Sequence, residues 1–340
     1  MGATSRTEVA RLHDLVIVGA GPCGLATALA AHRAGLDYVV VEQGSVAHSL
    51  TRYPLFMTFF STADRLEIGG VPFVVQGERP TRREAIRYYR RIAEAAGLRI
   101  RQWERVVGAR RSPEGFALET RHRDGRPDGV AGRALVVATG YFDSPNLLGV
   151  PGEDDPQLCS HFYTEPAPYY GLDVAVVGGR NSAVEAALDL YRHGARVTLI
   201  HRGPDLSDRV KPWVLPDIRA RLQEGSIRAL WNTVVREIRP GRIVVETEGR
   251  GQELPCDFVF ALTGYRPDHA LVRSLGVSVD PVTGVPAHDP ATMETNVPGL
   301  FLAGVVAAGY DANRIFIENG REHGERIVRA LVGRGLPVPR

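Results

Sequence analysis

Lysine is all but missing from this chain. Lys211 stands alone among 41 basic side chains, which face 39 Asp and Glu, and the formal charge is +2. So even a balance makes no strong field, and neither nucleic acid nor a membrane surface is expected as a partner. The arginine excess reflects a GC-rich coding sequence more than phosphate recognition everywhere. Cysteine is scarce too: Cys23, Cys159 and Cys256 are an odd number, far apart, with no CxxC and no Cys/His metal spacing. That argues against a disulfide framework or a cysteine-built metal site, and makes a reducing cytoplasm the expected location. No run of roughly 18 apolar residues occurs, so no membrane span is expected. The N-terminal stretch MGATSRTEVARLHD lacks the apolar core of a signal peptide.

What is present is a repeat, in a chain whose 340 residues suffice for two domains. DLVIVGAGPCGLATALAAHRAGLDYVVVEQ (14–43) and DVAVVGGRNSAVEAALDLYRHGARVTLIHR (173–202) share one design. Each has an apolar strand, a Gly-rich turn, an Ala/Leu-rich helix ending at a glycine, and a second apolar strand. This predicts two strand–helix–strand units with parallel sheets, an α/β fold with two Rossmann-like dinucleotide-binding domains. In the first turn Gly19, Gly21 and Gly24 fill the GxGxxG places: a tight turn, close approach of backbone to a diphosphate, and close helix–strand packing. Pro22 falls at the first helical position. In the second, Gly178, Arg180 and Ala183 hold those places, with Gly179 between and Asn181 and Ser182 following. Arg180 breaks the pattern, so a phosphate there must sit differently or gain a guanidinium partner.

The two second strands end differently. Glu42, followed by Gln43, lies 23 residues after Gly19, and His201, followed by Arg202, lies 23 residues after Gly178. A carboxylate at that place accepts hydrogen bonds from an adenosine ribose and repels a 2′-phosphate. His201 and Arg202, with Arg209 and Lys211 close behind, suit that phosphate. The first site thus reads as the adenosine half of FAD and the second as NADPH.

Further segments fit two nucleotide domains. RALVVATGYFDSPN (133–146) is a strand ending in Ala138-Thr139-Gly140, and DFVFALTGYRPD (257–268) repeats it with Thr263-Gly264. VPGLFLAGVVAAGYDANRIFIENGREHG (297–324) predicts a strand, Gly304, a loop, and a helix from about Asn313-Arg314-Ile315 whose positive end would face the flavin. Residues 1–156 and 274–340 are expected to form the FAD domain and 157–273 the NADPH domain. Thr58, with Phe59 and Phe60, could line the isoalloxazine or belong to the core, and His323 could donate protons near it.

Several of these stretches are long and idiosyncratic. GPCGL (21–25), YPLFMTFFSTADRLEIGGVPF (53–73), RPTRREAIRYYR (79–90) and ATGYFDSPNLLGVPGED (138–154) are joined by PYYGLDVAVVGGRNSAVEAALDL (168–190), VKPWVLPD (210–217) and AGVVAAGYDANRIFIENGREHG (303–324). Through them the whole chain resembles the low-molecular-weight thioredoxin reductases, and within that group it is most similar to the bacillithiol disulfide reductase family. The resemblance implies FAD and NADPH as cofactors, a small-molecule disulfide as electron acceptor, bacillithiol disulfide above all, and a homo-oligomer, dimer or tetramer. Two departures from the broader group matter. The CxxC expected before the second turn is replaced by LCSHFYTEPAPYY (158–170), with Cys159 alone, so the usual dithiol relay is absent. Val305 stands after Gly304 where an acid would hold the ribityl chain, as in the bacillithiol branch.

Cys23 belongs to the family fingerprint, and the resemblance makes it the candidate catalytic thiol. The helix N-terminus lowers a thiol pKa while a bound diphosphate raises it. The bland alternative is a small buried filler, the reading also given to Cys159 and Cys256. A ferredoxin or flavodoxin reductase, a flavin monooxygenase and a non-catalytic flavin redox sensor are the competing functions.

Overall fold

The computed structural model describes residues 11–335. Most of the stretch read for a signal peptide, residues 1–10, lies outside them. The chain divides into two compact units, one of Met1–Thr51, Thr58–Ser144 and Arg266–Arg340, the other of Arg52–Met57 and Pro145–Tyr265.

In the first unit, β1 (Leu12–Val18) runs parallel to β2 (Tyr38–Glu42), joined through α1 (Pro22–Arg33). Unbroken apolar runs occur here because both faces of a parallel strand are covered: Leu15, Val16, Ile17 and every residue of β2 are buried. α1 begins as its sequence dictates, with Gly21 in extended conformation at the N-cap and Pro22 at the first position. His32 and Arg33 fill its last turn, and Gly35 at φ 70° turns the chain away. Its small side chains bury nearly all round, with Leu25 and Leu29 worth about 2 kcal/mol each.

The sheet of this unit runs in the order Ile100–Gln102, β2, β1, Pro127–Val137, Gly115–His122, Glu104–Ser112. Pro127–Val137 is shared between two arrangements. Its second half lies parallel to β1 and to Leu300–Leu302, and its first half pairs antiparallel with Gly115–His122. A helix at Arg82–Ala95 is started by a capping box: the Thr81 hydroxyl accepts from Glu84 N, and the Glu84 carboxylate accepts from Thr81 N at 2.8 Å.

The second unit repeats the design with β3 (Asp173–Val177), α2 (Asn181–Arg192) and β4 (Arg196–Ile200). Its parallel sheet has the order Arg228–Leu230, β4, β3, Phe258–Ala261, Cys159–Ser160, and a separate antiparallel sheet comprises Thr233–Arg239, Arg242–Thr247 and Arg250–Pro255. The period of two in β3 decides its packing. Val174 and Val176 face the layer of α2, while Ala175 and Val177 face the layer holding Val235, Ile243 and Val245. Cys159 and Cys256 are buried in that second layer, and burial pushes their thiols up to about 12 and about 11.

Candidate functional site

The first turn is shaped by three glycines with three different needs. Gly19 has φ 107°, and a methyl group on it would sit 2.5 Å from the Ala138 carbonyl oxygen. A methyl on Gly24 would fall 2.0 Å from the Gly19 oxygen, so the helix can approach the strand only with hydrogen there. Around Gly21 nothing lies within 4 Å of a Cβ position. Packing therefore explains the outer two glycines, and the middle one leaves a cradle beside the N-terminus of α1, where free amides attract phosphate.

Glu42 ends β2 beneath this turn. Its Oε2 accepts from Ala20 N at 2.7 Å and its Oε1 from Gly44 N at 2.8 Å, and burial raises its pKa above the usual range. Each oxygen keeps a further lone pair for a sugar hydroxyl. Gln43 donates to Asp143 Oδ2 at 2.9 Å, tying β2 to the loop after Ala138, Thr139 and Gly140. Ala138 N donates to the Val18 oxygen, Thr139 is exposed, and Gly140 has φ 71°. Thr58 is exposed and bridges Thr81, and Phe60 is exposed with the Arg79 guanidinium 5.6 Å above its ring, so these lie on an accessible edge and not in the core.

Cys23, in the first turn of α1, directs its sulfur at two glycines. A methyl on Gly304 or on Gly320 would come 2.8 Å from Sγ. Burial pushes this thiol up to about 12, which leaves it protonated at neutral pH. Gly304, at φ 81°, donates its amide to His323 Nδ1 at 3.1 Å. Buried His323 is thereby a neutral acceptor, its pKa lowered to about 4 chiefly by desolvation. With Nδ1 accepting and the ring neutral above about pH 4, the proton His323 has to give is the one on Nε2.

The helix expected from Asn313 also needs correction. Ala312–Arg314 is a 3-10 turn, Ile315 and Phe316 are extended, and the helix begins at Ile317. The Asn319 side chain is the cause. It accepts from Phe316 N at 2.8 Å and donates to the Arg314 oxygen at 3.0 Å, starting the helix four residues late. Asn313 and Arg314 are exposed.

In the second unit Gly178, at φ 149°, would place a methyl 2.6 Å from the Leu262 oxygen and 2.8 Å from Ala183 Cβ. A methyl on Gly179 would strike the His201 ring at 2.7 Å, so the strand tip lies directly against the turn. Arg180 is the exposed N-cap of α2, followed by half-buried Asn181 and exposed Ser182. His201 packs edge-on against Trp231, and its pKa is lowered by burial first, then by Arg202 and Arg180. The basic character expected of this tip thus resides in the exposed arginines Arg180, Arg202 and Arg209 and not in the imidazole. Lys211 is committed elsewhere, with Nζ 2.5 Å from Glu185 Oε1. Thr263 and Gly264 are fastened to Asn146, which donates its backbone amide to the Gly264 oxygen at 2.9 Å and accepts from the Thr263 hydroxyl at 2.5 Å.

Asn146, Asn319 and Gly320 were not foreseen. Only Gly320 left a signal, a glycine where the helical pattern offers no turn. One further cluster, Glu104, His122 and Asp128, has potential ligand atoms within 4.8 Å of one another, but the Arg101 guanidinium already fills it, 2.7 Å from Glu104 Oε2 and 2.6 Å from Asp128 Oδ2.

Residues 16–304 match the family model described as pyridine nucleotide-disulphide oxidoreductase. The bacilliredoxin reductase Bdr of Bacillus subtilis is 42% identical over 321 residues, 94% of this chain and 97% of that protein. The chain belongs to this oxidoreductase family, in the branch of the bacillithiol disulfide reductases. The solved structure of bacillithiol disulfide reductase Bdr from Bacillus cereus superposes with a TM-score of 0.92 at 41% identity, covering 95% of this chain and 100% of that one. A thioredoxin reductase of T. acidophilum, at 21% identity and a TM-score of 0.73 over 96% of this chain and 100% of that one, shares the fold. As a member of this family the protein is an oxidoreductase with FAD and NADPH as cofactors. Among the described residues no helix is long and apolar enough to cross a membrane.

Proposed function

We propose that the protein transfers electrons from NADPH to bacillithiol disulfide, as a cytoplasmic homo-oligomer. The observation that carries this reading is the full-length kinship with a bacilliredoxin reductase, in a chain whose second turn is preceded by one buried cysteine in place of a dithiol. The overall change is balanced by two electrons: NADPH, a proton and one disulfide give NADP⁺ and two thiols.

The first unit would hold FAD. The cradle at Gly21, between Gly19 and Gly24 and beside Pro22, is open for the diphosphate, with the amides of α1 facing it. Glu42 would take the adenosine ribose, with Gln43 beside it. Ala138, Thr139, Gly140, Thr58, Gly304 and the segment Asn313, Arg314, Ile315 would border the remainder. The second unit would hold NADPH through Gly178, Gly179, Asn181 and Ser182 at the turn, with Thr263 and Gly264 beyond. The bound FAD supplies the two-electron step between nicotinamide and disulfide.

Cys23 would serve as the substrate-attacking thiol only after two changes. Its proton must leave a site that holds it to about 12, and the substrate must reach a sulfur packed against Gly304 and Gly320. The mixed-disulfide route then forms one S–S bond to a substrate half and releases the other half as thiol.

An acceptor screen on the purified flavin-loaded protein tests the reading. NADPH oxidation should be stimulated by bacillithiol disulfide more than by other small disulfides, ferredoxin or oxygen. Stimulation by ferredoxin alone would replace this function with the ferredoxin reductase one.

A further inference from the structure

We infer that Arg180 is a specificity residue that binds the 2′-phosphate of NADPH jointly with Arg202. The inference rests on the NADPH reading above and goes beyond it, because the place Arg180 occupies in the turn is one where backbone normally meets the diphosphate.

The local backbone makes no demand for glycine there. Arg180 lies at φ −115° and ψ −175°, ordinary extended geometry, so its side chain costs no strain and projects from the N-cap into solvent. Both of its neighbours are strapped to the segment after β4. The Gly179 oxygen accepts from Ser207 N at 2.9 Å, Asn181 Oδ1 accepts from Lys211 N at 2.8 Å, and Asn181 Nδ2 donates to the Arg209 oxygen at 3.2 Å. Against the turn, the His201 ring lies where a methyl on Gly179 would meet it at 2.7 Å, and Arg202 is the next residue of the chain. Arg180 therefore sits on a turn whose two flanking residues are tied to the returning segment and whose Gly179 packs on the strand tip.

Arg180 and Arg202 are both exposed, and both bear on the His201 ring. Among the described residues neither has an acidic partner within ion-pair distance. The carboxylate that also faces His201, Asp205, is claimed by a two-pronged bond from Arg219, 2.6 Å on each side. Asp208 accepts from the Ser207 hydroxyl at 3.3 Å. His201, its pKa lowered by burial and then by Arg202 and Arg180, packs against the turn and leaves the positive charge to them. Two guanidinium forks, one on the turn and one at the strand tip packed against it, match a terminal phosphate, which offers three oxygens and close to two charges. The end of the second strand is the place where a dinucleotide presents its ribose 2′ position.

The test uses the full-length holoenzyme and Arg180→Met, which keeps an apolar stem and removes the fork. Calorimetric binding of adenosine 2′,5′-bisphosphate should weaken about tenfold or more, while binding of ADP, which carries a diphosphate and no 2′-phosphate, stays unchanged. In parallel, kcat/KM for NADPH should fall by a similar factor with that for NADH unaltered, and Arg180→Lys should recover part of the loss. Equal weakening of both probes would place Arg180 on the diphosphate and overturn the inference, as would no weakening of either. Failure of the unsubstituted protein to bind adenosine 2′,5′-bisphosphate would instead remove the NADPH reading itself.

Discussion

The sulfur of Cys23 lies against the α-carbon of Gly304, so close that a methyl group there would fall 2.8 Å from it. The residue that carries the family fingerprint and the glycine that follows the last strand of the sheet are thus one packing unit. Gly320 closes the other side, and the Gly304 amide rests on His323. The thiol is held neutral by the same contacts that shape this turn.

Alkylation measures that directly. With its pKa raised from 9.0 to about 12, Cys23 holds very little thiolate at neutral pH. Its reaction with iodoacetamide should be slower than that of a free cysteine by on the order of a hundred- to a thousandfold, rising about tenfold per pH unit. Peptide mass spectrometry separates it from Cys159 and Cys256. Labelling at the rate of a free thiol would show a thiolate already poised for attack.

The contact between Cys23 and Gly320 should appear as non-additivity. Gly320→Ala pushes a methyl toward Sγ and should cost about 2 kcal/mol, and Cys23→Ala about 1 kcal/mol. Together they should cost less than the sum by about 1 kcal/mol, since removing the sulfur makes room for the methyl. Denaturant melts of the four proteins give the coupling. Strict additivity would mean that the Gly304 α-carbon and Ile315, each 3.2 Å from the same methyl position, dominate the clash.

His323 gives the protein an acid-sensitive component. Unfolded, its imidazole takes a proton near pH 6.5, and folded it refuses one until about pH 4. Acidification across that window therefore favours the unfolded chain. Stability from this residue is intact above pH 6.5, declines by about 3 kcal/mol as pH falls to about 4, and is flat below. His323→Asn keeps an acceptor for the Gly304 amide and cannot titrate, so its melting temperature should fall less steeply over this range. An identical pH profile in both proteins would contradict the assignment.

Arg101, on the strand that pairs with β2, supports a buried carboxylate. Glu104 is 1% exposed and receives the guanidinium through Nε at 2.7 Å and Nη2 at 2.5 Å, with the Thr120 hydroxyl donating as well. Arg101→Ala leaves that charge stranded and should cost about 3 kcal/mol in urea melts, part of it recovered by adding Glu104→Gln. A loss below about 1 kcal/mol would show that Thr120 and water suffice.

The nucleotide turns were legible because backbone geometry demands particular residues. At Gly19 and Gly178 a positive φ coincides with a carbonyl oxygen inside methyl distance, and no other side chain fits both conditions. The strand tips were legible as positions, but not as contacts. That Glu42 is spent partly on the amides of Ala20 and Gly44, or that the His201 ring packs on the turn with its pKa lowered, depends on burial, which sequence spacing does not encode. The helix start at Ile317 was missed for a different reason. Asn319 caps it from three residues inside, while Asn313 offers an equally good cap in sequence and only tertiary packing chooses between them.

The shared strand Pro127–Val137 acquires its parallel neighbour Leu300–Leu302 from the last part of the chain. During synthesis the ribosome therefore delivers all of Arg52–Met57 and Pro145–Tyr265 before the first unit can finish its own sheet. The unit that begins the polypeptide is the later one to be completed, and it waits as an open edge of Leu135, Val136 and Val137 until three late residues cover it.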